Sequence, residues 1–117
     1  MSDRANQLFV FSTVGDTATA RRLADSAVGA GLAACVNILP PVTSVFRWEP
    51  EAGDAAAAAV QAEDEVMMIL KTSAATYPDL EAHLQREHPY DLPEIVAVEL
   101  AQGLPAFLQW IDAATQS

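Results

Sequence analysis

Two imidazoles and one thiol are the softest metal ligands in the chain, at His83, His88 and Cys35. Imidazole is a common ligand of Cu(II) and Zn(II), and a thiolate takes copper readily. His88 stands where a helix should stop, directly before Pro89-Tyr90, and is the leading metal candidate. Its competing role is to close that helix, where a cationic imidazole suits the dipole. Cys35 lies in an extended segment on the same face as Asn37 and is the second metal candidate. A lone strand cysteine is more often a small buried hydrophobe. His83 falls one position before the inward-facing Leu84 and is expected in solvent. The run Glu63-Asp64-Glu65 could gather cations loosely, and is first expected to be the solvated start of a strand.

Other chemistries find no support. There is no Ser-His-Asp arrangement, P-loop or HExxH helix, so the chain is not read as an enzyme and no catalytic residue is assigned. One cysteine excludes an intramolecular disulfide. It also excludes a four-cysteine or two-cysteine, two-histidine zinc site within one chain. Six Lys plus Arg stand against sixteen Asp plus Glu, for a formal net charge of -10 and a pI near 4.3. That balance disfavours nucleic acid and anionic membranes, both of which need a basic patch. The start, Met1 to Asn6, is not a basic segment followed by a long apolar run, so no signal peptide is expected. No apolar stretch approaches the ~20 residues of a membrane span, and the cytoplasm is the expected compartment.

The elements that must position these residues follow from periodicity. The 117 residues fit one domain, 1–117. Leu8 to Val14 is β-branched and aromatic and predicts a strand. Asp16 is the expected N-cap of a helix over Thr17 to Ala30, with Ala20, Leu23, Ala24, Ala27 and Val28 on one apolar face. Gly29 and Gly31 supply its stop. A second strand runs from Leu32 to Leu39, breaks at Pro40-Pro41, and resumes from Val42 to Trp48. Because prolines cannot donate to a ladder, the break belongs at an edge or a bulge. Glu49 to Ala62, with its run of alanines, predicts a loop tip, flexible or partly helical. Val66 to Thr72 is a third strand, Ala75 to Glu87 a second helix ended by Pro89, and Glu94 to Leu100 a fourth strand. A last short helix opens near Pro105. The order β-α-β-β-α-β-α predicts an α+β domain. It is a ferredoxin-like β-α-β-β-α-β sandwich with an antiparallel sheet and an extra C-terminal helix.

Both faces of that sheet are apolar. Met67 and Ile69 oppose Val66, Met68 and Leu70, while Val96 and Val98 oppose Ile95 and Ala97. Two helices cover one face only. Each large side chain left wet forgoes roughly 1.5–3 kcal/mol, so an obligate oligomer is expected. The rival solution is that the final helix folds across the second face.

Three blocks resemble the CutA divalent-cation tolerance family. The first is Gly31-Leu32-Ala33-Ala34-Cys35-Val36-Asn37-Ile38-Leu39-Pro40 followed by Ser44-Val45-Phe46-Arg47-Trp48-Glu49. The second is Glu63-Asp64-Glu65-Val66 running into Ile69-Leu70-Lys71-Thr72. The third is His88-Pro89-Tyr90-Asp91-Leu92-Pro93-Glu94-Ile95. The departure is an alanine-rich insert, 50–62, at the tip of a long hairpin. The resemblance implies a homotrimer with PII-like architecture and a tie to divalent metals, copper above all. Copper would be a bound cation, with no cofactor required for folding. Copper-binding members can carry a second adjacent His and a first-strand Cys. Here those positions are Glu87 and Ser12, which are harder ligands. The resemblance also places Trp48, Glu49, Lys71, Tyr90 and Glu94 around a cleft between subunits. Lys71 shares a strand face with Ile69 and Met67 and should need a carboxylate partner, Glu94 or Glu49. Such a pair would either hold the interface together or form the positive end of a small-ligand pocket. The implied function is a trimeric divalent-cation tolerance or metal-response protein binding copper-type cations. The alternative is a PII-like small-molecule sensor or a signalling scaffold whose protein partner is unknown.

Overall fold

The computed structural model describes residues 6–48 and 59–115. Its elements are β1 (Gln7–Val14), α1 (Thr17–Gly29), β2 (Cys35–Ile38), β3 (Val42–Trp48), β4 (Ala59–Ser73), α2 (Tyr77–Glu87), β5 (Val96–Glu99) and α3 (Pro105–Ala114). The main sheet has the order β2-β4-β1-β5, and β3 pairs with β4 beyond it. Every pairing is antiparallel. This is the ferredoxin-like α+β plan, with Pro40-Pro41 dividing the second strand into β2 and β3.

Local chemistry sets the boundaries of α1. Asp16 is extended and its Oδ1 accepts the Thr19 N–H at 2.7 Å. That bond holds the Asp16 carboxyl below the usual carboxylate range. At the other end Gly31 takes φ +74°, a left-handed conformation that costs a side-chain-bearing residue. Its N–H reaches the Val28 carbonyl at 3.0 Å and the Leu32 N–H reaches the Ala27 carbonyl at 2.9 Å. This is a Schellman closure.

Strand parity then sorts the sheet into two faces. Val36, Leu70, Val10 and Ala97 form one row across β2, β4, β1 and β5. This row faces the helices, where Val10, Val14, Met68 and Leu70 pack with Leu23, Ala27, Leu80 and Leu84 into the core. On the opposite face the rows are Cys35–Lys71–Phe9–Val98 and Asn37–Ile69–Phe11–Val96. Helix α3 covers one end of that face. Ile111 is fully buried, and the Gln7 Nε2 donates to Asp112 Oδ2 at 3.0 Å. The expected rival solution is therefore realised in part. Val96 and Val98 remain about half exposed, as do Phe107 and Trp110 on α3.

Strand β4 is longer than expected. It begins at Ala59 rather than Val66, so residues 59–62 of the anticipated loop are strand, and Glu49 to Ala58 lie outside the described residues. Among the described residues its first half pairs only with β3, from Val42 opposite Glu65 to Trp48 opposite Ala59. The result is a two-stranded ribbon projecting from the sheet.

Candidate functional site

The root of this ribbon and the loop after α2 together build the site. His88 is the C-cap of α2, and its backbone N–H bonds the Leu84 carbonyl at 2.8 Å. Pro89 disfavours helical backbone at His88, which leaves the helix at ψ 137°. The ring turns inward and is 7% exposed. Its Nε2 lies 2.9 Å from the Thr13 carbonyl oxygen, and its Nδ1 accepts the Tyr90 N–H at 3.1 Å. A carbonyl accepts only from an N–H, and an amide N–H donates only to a lone pair. The ring is therefore the neutral tautomer protonated at Nε2. Burial pushes the His88 pKa below its ordinary value, against the smaller raising effects of the Thr13 bond and the Glu65 charge.

Both ring nitrogens are engaged within the subunit, so a metal at His88 would have to displace one of these contacts. His88 caps α2 through its backbone N–H, and burial favours the neutral ring over the cationic one.

Tyr90 carries the next link. Its ring packs on His88 with centroids 4.8 Å apart, and its hydroxyl donates to Glu65 Oε2 at 2.8 Å. Burial, followed by the Glu65 bond and charge, pushes its pKa up to about 12. The phenol stays protonated at neutral pH and acts as a strut between the loop and β4.

The strut bounds a cleft of about 580 Å³. Phe46 and Arg47 of β3 and Gln61, Glu63 and Glu65 of β4 form one wall. Tyr90, Asp91, Leu92 and Glu94 form the other, with Thr13 at the base. Register explains the first wall. Glu65 pairs with Val42, Glu63 with Ser44 and Gln61 with Phe46, so these alternate residues share a ribbon face and Asp64 takes the other. Glu63, Glu65, Asp91 and Glu94 all line this cleft, and Arg47, which pairs with Val60 and so takes the ribbon face of Asp64, borders it. Glu63 and Asp64 are exposed strand residues, as expected of a solvated strand start, and the register adds that Glu63 and Glu65 line one cleft. The i, i+2 spacing of Glu63 and Glu65 is the signal that would have found it. Asp91 and Arg47 stand in the family blocks, and their residue types alone do not mark them as neighbours of the cleft.

The remaining expected residues are scattered. Tyr90 and Glu94 share the cleft, but Lys71 does not. Six residues of β4 separate it from Glu65, about 20 Å along the strand. Its ammonium lies 5.4 Å from the Phe9 ring centroid and 5.8 Å from that of Phe107. Ring faces can stabilise a cation, and among the described residues no carboxylate pairs with it. Within one subunit no ion pair joins Lys71 to Glu94. Trp48 is the last residue of β3, opposite Ala59. Glu49 lies outside the described residues.

Cys35 is a half-buried free thiol opposite Lys71 in the register. His88 attaches to Thr13, which faces Met67, four residues from Lys71 along β4. That separates the two metal candidates by about 13 Å along the sheet. They do not form one site. Among the described residues no group of three or more His, Cys, Asp or Glu side chains is placed to hold a metal ion. His83 is not in free solvent. Its Nε2 lies 2.6 Å from the Ser26 hydroxyl oxygen, tying α2 to α1. Ser12 sits on the helix-facing side of β1, fully buried, with no hydrogen-bond partner for its hydroxyl among the described residues.

Comparison with known proteins fits this fold and these blocks. The sequence profile of the CutA1 divalent ion tolerance protein matches residues 8–114. A divalent-cation tolerance protein CutA of Thermus thermophilus is 37% identical over 106 residues, 91% of this chain and 95% of that protein. The mouse Protein CutA is 32% identical over 107 residues, 92% of this chain and 56% of its own length, so the chain spans little more than half of that relative. The crystal structure of the stable protein CutA1 from the psychrotrophic bacterium Shewanella sp. SIB1 superposes with a TM-score of 0.86. It has 33% identity and covers 97% of this chain and 99% of that one. On the profile match and these identities, the chain belongs to the CutA1 divalent ion tolerance protein family.

Proposed function

We propose that the chain is a divalent-cation tolerance protein that works as a homotrimer and takes up copper-type divalent cations at the acidic cleft. The observation that carries this reading is that Glu63, Glu65, Asp91 and Glu94 all line one cleft. Carboxylate oxygens are hard donors that serve divalent ions generally. At a given oxygen and nitrogen site Cu(II) binds more tightly than the other first-row divalents. One subunit concentrates negative charge without closing a coordination set, which suits weak, exchangeable binding rather than a structural metal. Assembly supports the reading from a second direction. By strand parity Glu63 and Glu65 continue the side of β4 that carries Met67 and Ile69, so packing the open faces together would bring a neighbour toward the cleft. The trimeric count comes from the family resemblance.

The test is calorimetric titration of Cu(II), Zn(II) and Mg(II) into the assembled protein and into the E63Q/E65Q/D91N/E94Q variant. A loss of Cu(II) affinity of about tenfold or more in the variant supports the cleft. Superimposable isotherms would remove these carboxylates from any role in cation uptake.

A further inference from the structure

We infer that His88 is a pH-operated latch: its neutral ring pins the loop 88–94, one wall of the acidic cleft, to the end of β1, and its protonation releases that loop. The inference goes beyond cation uptake and holds whether or not the cleft takes a metal.

The two protonation states of the ring keep different contacts. The Nε2–H bond to the Thr13 carbonyl exists in both states, because Nε2 carries a proton in both. The Tyr90 bond exists in one only. A proton on Nδ1 would face the Tyr90 N–H across 3.1 Å, donor against donor. The ring therefore stays tethered to β1 while the backbone at Tyr90 must swing away. A second tie, the Tyr90 hydroxyl on Glu65, belongs to the same loop residue and is strained by the same movement. Asp91, Leu92 and Glu94 follow directly, so the cleft wall moves with the latch.

The groups facing the ring set the direction. From β4, Glu65 favours the protonated ring. From α1, Arg22 disfavours it. Arg22 is drawn towards α2 by Glu87, whose Oε1 lies 3.8 Å from the guanidinium. From the loop, the Tyr90 ring packs on the imidazole and its phenol remains neutral. Burial is the largest influence and favours the neutral ring. The latch is therefore shut at neutral pH and opens on the acid side.

The experiment is a pH titration of the full-length protein by NMR. It follows the His88 ring nitrogens and the hydrogen exchange of the Tyr90 amide, with the Leu70 amide of β4 as internal reference. Near neutral pH the ring should show the proton on Nε2. As it titrates below about pH 6.5, Tyr90 protection, corrected for intrinsic exchange and normalised to Leu70, should fall about tenfold. In His88→Asn the shorter amide oxygen can accept the Tyr90 N–H without titrating, and Tyr90 protection should stay flat over the same range. If that variant fails to fold, the wild-type ring and amide signals decide alone. Three results overturn the latch: a neutral ring with its proton on Nδ1, a titrating ring with constant Tyr90 protection, or a ring that stays neutral until the whole fold melts.

Discussion

Tyr90 donates its phenolic proton to Glu65 across 2.8 Å, and this bond joins the loop after α2 to the root of the β3–β4 ribbon. The two residues are 25 positions apart in sequence and belong to different walls of one cleft. An isolated two-stranded ribbon is marginal in water, so a strut at its root has structural value as well as shaping the cleft.

The first prediction is that the strut behaves as a pair. Tyr90→Phe and Glu65→Ala should each lower stability by about 1 kcal/mol, the net worth of a partly exposed hydrogen bond to a charged group. The double variant should cost little more than either single change, because each one already breaks the bond. Urea unfolding of the four proteins measures this directly. Strict additivity would show that the bond contributes nothing.

A second prediction concerns acid. Burial lowers the folded pKa of His88 beneath its unfolded value near 6.5. The folded state then binds fewer protons than the unfolded state in that range, so unfolding takes up a proton. The stability that comes from keeping this ring neutral is complete above about pH 6.5. It is lost progressively as pH falls through the folded value. Melting temperature plotted against pH should bend downward in that window for wild type, and His88→Asn should lack the bend. Carboxylate titrations lie lower and are common to both proteins. Parallel curves would mean that the imidazole is not under the constraint its two hydrogen bonds describe.

Ser12 yields a third prediction. Its hydroxyl is fully buried between sheet and helices with no hydrogen-bond partner among the described residues. Desolvating a hydroxyl without a compensating bond costs on the order of 1–3 kcal/mol. Ser12→Ala should therefore raise stability by about 1 kcal/mol, after allowing for the small void it leaves. A destabilised variant would indicate that the hydroxyl does find a partner, such as a buried water.

Much of this fold was legible because its signals are local or strictly periodic. The Asp16 cap, the Gly31 stop and the inward Ala20, Leu23, Ala24 and Ala27 all follow from neighbours in sequence. Val28 was assigned to the same apolar face but is 42% exposed, since it lies at the margin of the stripe. The start of β4 was misplaced because Glu63, Asp64 and Glu65 carry solvent-facing charge. Side-chain polarity does not reveal that a backbone is paired in a ribbon. The site was harder still. The partners of His88 come from β1 and from the next loop, and whether a histidine faces a metal or a carbonyl depends on geometry, not on residue type. Lys71 is a related case. Within one subunit its ammonium lies beside the rings of Phe9 and Phe107, and sequence alone does not distinguish such rings from a carboxylate as its neighbour.

The exposed strand β5 carries the last prediction. Val96 and Val98 sit on the face opposite the helices, about half accessible in one subunit and adjacent in register to Phe11 and Phe9. In an isolated subunit, glutamate at either position could extend its carboxylate into water, and the fold should tolerate it at a cost of about 1 kcal/mol. In an assembly that closes this face, the same carboxylates would be buried without partners, at several kcal/mol per contact. V96E/V98E should therefore remain folded by circular dichroism while its mass by sedimentation falls to that of one subunit. A variant that keeps the wild-type mass would show that this face is not what the copies share. The proposed proximity of a neighbour to the acidic cleft would then lose its basis.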